Sequence, residues 1–163
     1  GAFCNLDLLL LITFSITFLE FLSFQMSAQK FNGRFLCNSS ENFEEYLKEC
    51  GFGYFLRKLA VIFSVIFDVR NEGNKWTIIQ ESIFKSISQE FETDTEYEET
   101  TADGRTFMTL VTFTPNGKLI QRQRAIKDTD KDCLITRYME DDDTLVIVIE
   151  YGCVTAKRIF KRI

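Results

Sequence analysis

Histidine is absent from the 163 residues, and proline and tryptophan occur once each. Without histidine the chain lacks the commonest general base, every serine–histidine or cysteine–histidine pair and the commonest zinc ligand. A single proline leaves little scope for rigid linkers or disordered tracts. The five cysteines, Cys4, Cys37, Cys50, Cys133 and Cys153, show no CxxC or other metal-ligand spacing, so no metal site is expected. Their odd number and wide dispersal fit reduced, buried thiols better than a disulfide framework, although one pair could bridge in a secreted chain. Positive charge is also short: 19 Lys and Arg against 24 Asp and Glu give a net charge of −5, which excludes the basic footprint of a nucleic-acid binder. No Gly-rich phosphate loop is present. Neither an enzyme nor a cofactor site is expected.

What is abundant is phenylalanine, with 17 copies in a chain that is 45% hydrophobic and 26% charged. That balance is ordinary for a globular protein, and the length suits one domain with a large aromatic interior. The first 25 residues stand apart. The run "LDLLLLITFSITFLEFLSF" from Leu6 to Phe24 is apolar over about the length of a membrane span, yet it carries Asp7 and Glu20 and has no basic residue before it. Met26 opens "MSAQKFNGRF", a credible native start. Residues 1–25 are therefore set aside as an apolar leader with three open readings: sequence upstream of the true start, a degenerate signal segment or a membrane anchor. Residues 26–163 form the expected domain.

From Met26 the patterning is regular. "AQKFNGRFLC" alternates, with Phe31, Gly33 and Phe35 on one face, and predicts a first strand. Ser39 or Ser40 can cap a short helix in which Phe43, Tyr46, Leu47 and Cys50 recur at helical spacing. Gly51 and Gly53 break it, and "YFLRKLAVIF" predicts a second helix, polar only at Arg57 and Lys58. The rest reads as short strands separated by turns such as "NEGN", "ADGR", "TPNG" and "DDD". About ten strands result, the pattern of a sandwich or closed barrel. On the last strand Val154, Ala156, Arg158, Phe160 and Arg162 share one face, while the lysines Lys157 and Lys161 take the other. The expected core face thus carries an arginine, an odd choice for a packed core.

Two helices inserted between the first two strands of an all-β series is a narrow description. The motifs "FNGRF", "ENFEEYLKECGFGYFLRKLA" and "EETTADGRTF", with the closing Arg-x-aromatic, resemble the intracellular lipid-binding proteins, which include fatty-acid-binding and cellular retinoid-binding proteins. Gly33-x-Phe35 and Asn42-Phe43-Glu44 match the family's opening fingerprint, and the likeness runs from about Phe31 to Lys161. It implies an all-β fold: a ten-stranded antiparallel up-and-down β-barrel, or clam, with a helix-turn-helix lid. It further implies a monomeric cytoplasmic carrier of long-chain fatty acids or related carboxylates. A retinoid-type carrier, and a secreted or membrane-anchored protein using the leader, remain alternatives.

By the same resemblance Arg158 and Arg137 are the inward carboxylate ligands, and Arg105 is a third basic residue near the portal turn. Phe43, Tyr46 and Leu47 match lid positions, Phe84 a portal phenylalanine, and Ala102 and Asp103 the opposite portal turn. Ala125 stands where many members carry tryptophan, which implies extra room. Phe160 departs from the family's tyrosine, and the missing hydroxyl implies a weaker headgroup anchor. Arg162 shares the parity of Arg158 but sits at the chain end and is expected to face solvent. Lys48, Arg57 and Lys58 on the helix pair form either a solvated face or a patch for transient contact with an anionic membrane surface.

Overall fold

The computed structural model describes residues 3–163, with side chains described from Leu9 onward. The start of the leader, including Gly1 and Ala2, and the side chains of Cys4 and Asp7 therefore lie outside the described residues.

Helix α1 (Phe3–Gln29) is apolar around its whole circumference. Strand β1 (Gly33–Glu41) follows, then helices α2 (Phe43–Glu49) and α3 (Tyr54–Ile62). Nine further strands complete the chain: β2 (Ile66–Glu72), β3 (Lys75–Glu81), β4 (Ser86–Glu92), β5 (Tyr97–Thr100), β6 (Thr106–Phe113), β7 (Lys118–Ala125), β8 (Cys133–Asp141), β9 (Thr144–Tyr151) and β10 (Val154–Arg162). All ten strands form one antiparallel sheet in the order β4-β3-β2-β1-β10-β9-β8-β7-β6-β5. The first and last strands pair, so the sheet curls into a barrel whose two ladder ends are β4 and β5. Those two strands meet through side chains: Gln89 donates to Glu99 and to the Tyr97 hydroxyl, and the Phe91 and Tyr97 rings stack at 6.3 Å.

Alternation explains the interior. On β6, Phe107, Thr109, Val111 and Phe113 are buried while their neighbours are not, and on β7 Leu119, Gln121 and Gln123 follow the same rule. Two expectations at the start of the domain fail. The first strand starts only at Gly33, because α1 continues through Ala28 and Gln29, and Phe31 turns into the barrel base. There Phe31 packs edge-on against Trp76 at 5.6 Å and Phe113 at 5.8 Å, and Phe24 of α1 packs on Phe113 at 5.0 Å. Ser39 and Ser40 also do not cap α2. They lie within β1 beyond a bulge at Cys37/Ser39, and Asn42, in the left-handed region at φ 55°, takes the cap position with no side-chain capping bond, its amide donating instead to the Thr155 carbonyl at 3.3 Å.

Arg162 is not solvent-facing. Its guanidinium donates to the carbonyls of Lys30 (2.8 Å), Asn32 (2.7 Å) and Asp142 (2.8 and 3.0 Å), and lies 4.5 Å over the Phe35 ring. Backbone carbonyls of the α1–β1 and β8–β9 turns attract it at the end of β10. Gly33, at φ 139°, passes directly beneath, and a Cβ there would overlap the Arg162 Nη1 atom. Gly33→Ala should therefore cost about 1–3 kcal/mol of stability. In an Arg162→Ala background only the backbone part should remain, so denaturant unfolding of the double-mutant cycle should show coupling between the two sites; full additivity would refute the clash.

Candidate functional site

The barrel encloses a cavity of about 280 Å³, roofed by α2 and reaching down the inner faces of most strands. Phe43, Tyr46 and Leu47 close it from the lid, and Phe67, Ile78, Ile147 and Ile149 supply apolar wall. Arg158, Arg137, Phe160, Arg105, Ala102 and Asp103 line it as well. Phe84 does not. It is 65% exposed on the β3–β4 turn and packs edge-on against Phe63 at 5.0 Å, bridging that turn to the end of α3. Ala125 is also away from the cavity lining, and its N–H donates to Asp132 at the outer end of β7. The room implied by its small side chain is not added to the cavity.

The three arginines differ in their company. Arg105 donates to Asp103 at 2.7 Å and lies 5.0 Å over the Tyr151 ring. Burial works against its charge, but Cys50, Tyr151 and Asp103 outweigh it and hold the guanidinium above its ordinary pKa. Arg137 is 6% exposed and donates from Nη1 to the Gln121 carbonyl oxygen at 2.8 Å. Gln121 in turn donates to Glu99 at 2.9 Å, so a carboxylate answers Arg137 through one amide.

Arg158 is 5% exposed and forms no ion pair among the described residues. Its Nε donates to Ser40 Oγ at 3.1 Å and its Nη2 to Cys37 Sγ at 3.3 Å. The guanidinium carbon lies 3.9 Å over the Phe43 ring of the lid and 5.2 Å from the Phe160 ring. Hydroxyl and thiol take two of its five hydrogens and two π-faces answer part of its charge, but no anion among the described residues neutralises it. Burial pulls both Arg158 and Arg137 below the ordinary arginine value. The β1 bulge makes the Arg158 contacts possible by setting Ser40 opposite Arg158 and Cys37 opposite Phe160.

A second cavity acid, Glu99, was not expected from the sequence. Glu99 Oε2 accepts from Thr109 at 2.8 Å and from Gln121 and Gln123 at 2.9 Å each, and Oε1 accepts from Gln89. The signal was available: Glu99 is two residues beyond Tyr97, so the two share a face, and Gln121 and Gln123 alternate in step with Leu119.

On the lid, Arg57 is tied inward, donating to the Phe52 carbonyl at 2.7 Å, and Lys58 pairs with Glu44 at 2.8 Å. The thiols are free among the described residues, with Cys133 buried, Cys37 and Cys50 partly buried and Cys153 exposed. Cys153 thus departs from the expected burial, because it sits in the β9–β10 turn. Burial pushes the Cys133 thiol up to about 12, which leaves it protonated and inert at neutral pH.

The model of the lipocalin / cytosolic fatty-acid binding protein family matches residues 32–162. Fatty acid-binding protein homolog 5 of Caenorhabditis elegans is 42% identical over 137 residues, covering 84% of this chain and 99% of that protein. The crystal structure of apo lipid binding protein 8 from Caenorhabditis elegans matches with a TM-score of 0.78 at 36% identity, over 83% of this chain and 96% of the other. A Schistosoma mansoni fatty acid binding protein in complex with arachidonic acid matches with a TM-score of 0.75 at 29% identity, over 84% and 98%. A ten-stranded barrel lidded by two helices, an interior cavity and these similarities together show that the chain belongs to the lipocalin / cytosolic fatty-acid binding protein family.

Proposed function

We propose that the protein is a non-covalent carrier of one long-chain fatty acid or closely related hydrophobic carboxylate, with the carboxylate held on Arg158. The observation that carries this reading is the company each cavity arginine keeps: Arg105 has Asp103, Arg137 has Glu99 through Gln121, and Arg158 has no anion. A desolvated guanidinium gains most from a planar, bidentate carboxylate. The apolar wall supplies the remaining affinity at about 0.8 kcal/mol per buried CH₂. A volume near 280 Å³, just below the usual range of small-molecule sites, leaves room for no more than one slender lipid. A retinoid-type carboxylate shares this chemistry and would compete for the same guanidinium. The role in this reading is carriage rather than catalysis, exercised in the cytoplasm by a monomer. A Schistosoma relative solved with arachidonic acid supports the ligand class.

Delivery would use the lid. Tyr54, Phe55, Leu56, Val61 and Ile62 of α3 are each more than half exposed, and Ile83 and Phe84 extend the patch across the rim. Set beside Lys48 and Lys58, this face suits transient contact with an anionic membrane surface; Arg57, held against Phe52, takes no part. A second reading rests on α1. Leu9–Gln29, 21 residues, is long and apolar enough to cross a membrane, and the Thr13 and Thr17 hydroxyls bond back to helix carbonyls. The family match starts beyond α1, so such a tether would be an addition to a carrier domain.

Three measurements test these readings. Arg158→Gln should weaken binding of a long-chain fatty acid by about 1.5–3 kcal/mol while leaving its methyl ester nearly unaffected; equal losses for acid and ester would remove Arg158 from the headgroup. In the same titration Phe160→Tyr should gain about 1 kcal/mol for the acid through a restored hydroxyl. Reversing charge at Lys48 and Lys58 should slow ligand transfer to anionic vesicles with affinity intact, and unchanged rates would sink the membrane contact. N-terminal sequencing of native material decides on α1: a chain starting at Met26 or Ser27 leaves an untethered carrier, and retention of residues 9–25 in a carbonate-resistant membrane fraction establishes the tether.

A further inference from the structure

Asn38 takes no part in the cavity, yet it opens Asn38-Ser39-Ser40, the chain's one Asn-x-Ser/Thr triplet and the acceptor pattern for N-linked glycosylation. Such a triplet can arise by chance, so its setting decides whether it is usable. Asn38 falls in the β1 bulge, between Cys37 opposite Phe160 and Ser39 opposite Ile159, and is itself in register with no residue of β10. The ladder with β2 has already ended at Leu36. Cys37 turns inward to Arg158, which leaves Asn38 on the outer wall, exposed and with no side-chain hydrogen bond among the described residues. A bulky polar group on its Nδ2 therefore extends into solvent without breaking a strand pair.

The triplet matters only if the chain reaches a glycosylating compartment, and α1 supplies the means. Leu9–Gln29 is long and apolar enough to cross a membrane, and its most apolar window is not buried against the barrel. Leu9, Leu10, Leu11, Phe14 and Leu19 are each more than half exposed, a surface with no partner in water. An apolar helix just ahead of a folded domain is what a signal or anchor segment offers the export machinery. Order of synthesis removes the one obstacle. In the folded barrel the Ser40 hydroxyl accepts from Arg158 Nε at 3.1 Å, and Arg158 lies 118 residues further along the chain. While Asn38 emerges Arg158 has not been made, so the triplet is free; folding then engages Ser40 and leaves Asn38 outside.

We propose that the chain carrying α1 enters the secretory pathway with the barrel on the lumenal side, and that Asn38 is N-glycosylated there. In the transfer Asn38 Nδ2 bonds to the anomeric carbon of a lipid-diphosphate-linked oligosaccharide. The bond from that carbon to the diphosphate oxygen breaks, the diphosphate leaves with the bonding pair, and Nδ2 gives up one proton. The Ser40 hydroxyl marks the acceptor. The inference extends the second reading of α1 by naming the side on which the barrel lies, and it does not depend on the ligand. A chain lacking α1 has no such route and remains the cytoplasmic carrier.

The test translates the full chain in the presence of microsomes that carry oligosaccharyltransferase. The barrel should be protected from added protease and should run as one species larger by a single glycan, a shift that peptide-N-glycosidase reverses. Asn38→Gln should lose the shift, whereas Ser40→Thr, which keeps a hydroxyl at that position, should retain it. Because transfer precedes folding, neither readout requires the variant barrel to fold. A protected barrel with no shift overturns the inference, and so does a shift that survives Asn38→Gln. A barrel left outside the microsomes and digested by protease overturns it as well. None of these results touches the carrier reading, which stands or falls with the acid and ester titrations of Arg158→Gln.

Discussion

A cation buried without a counter-charge is the constraint on which much of the rest depends. Desolvating Arg158 costs several kcal/mol unless its hydrogens and charge are answered. The answer comes from three separate parts of the fold: a bulge that brings Ser40 and Cys37 into place on β1, the Phe43 ring of the lid, and the Phe160 ring two residues along its own strand. Each contact is neutral, so part of the hydrogen bonding is met while the charge is not. The interior is thereby poised for an anion, and the lid takes part in the poise because one of its aromatic faces rests on the guanidinium.

The same chemistry reads differently at the other two arginines. Arg105 near the mouth spends its charge on Asp103 and on the aromatic and thiol groups beneath the lid, acting as a latch between the β5–β6 turn and the barrel wall. Arg137 spends its charge through Gln121 on Glu99. Three like residues on one cavity wall therefore hold three different electrostatic positions, set by which neighbours bring an acid.

The barrel and the inward direction of Arg158 were legible because strict alternation over nine residues leaves little freedom about which side chains share a face. The helical lid was legible through its glycine stops and its spacing. Glu99 was not, because β5 has only four residues and places two glutamates side by side, so parity had to be carried from Tyr97 to tell them apart. The Ser39 and Ser40 caps were misread because a bulge is invisible to a periodic pattern; it extended β1 and diverted Ser40 to Arg158. Arg162 was misread because its partners are backbone carbonyls of a distant turn, and no side-chain pattern encodes those.

The break in the hydrogen-bonded ladder between β4 and β5 gives the polar cluster a mechanical meaning. Gln89 stands on one lip of that break and Glu99 on the other, and the bond between them acts as a stitch across a seam that the backbone leaves open. Substitutions that retune the polar wall therefore also loosen or tighten the seam. The polar lining of the interior and the side-chain closure of the barrel are in this way carried by the same few residues.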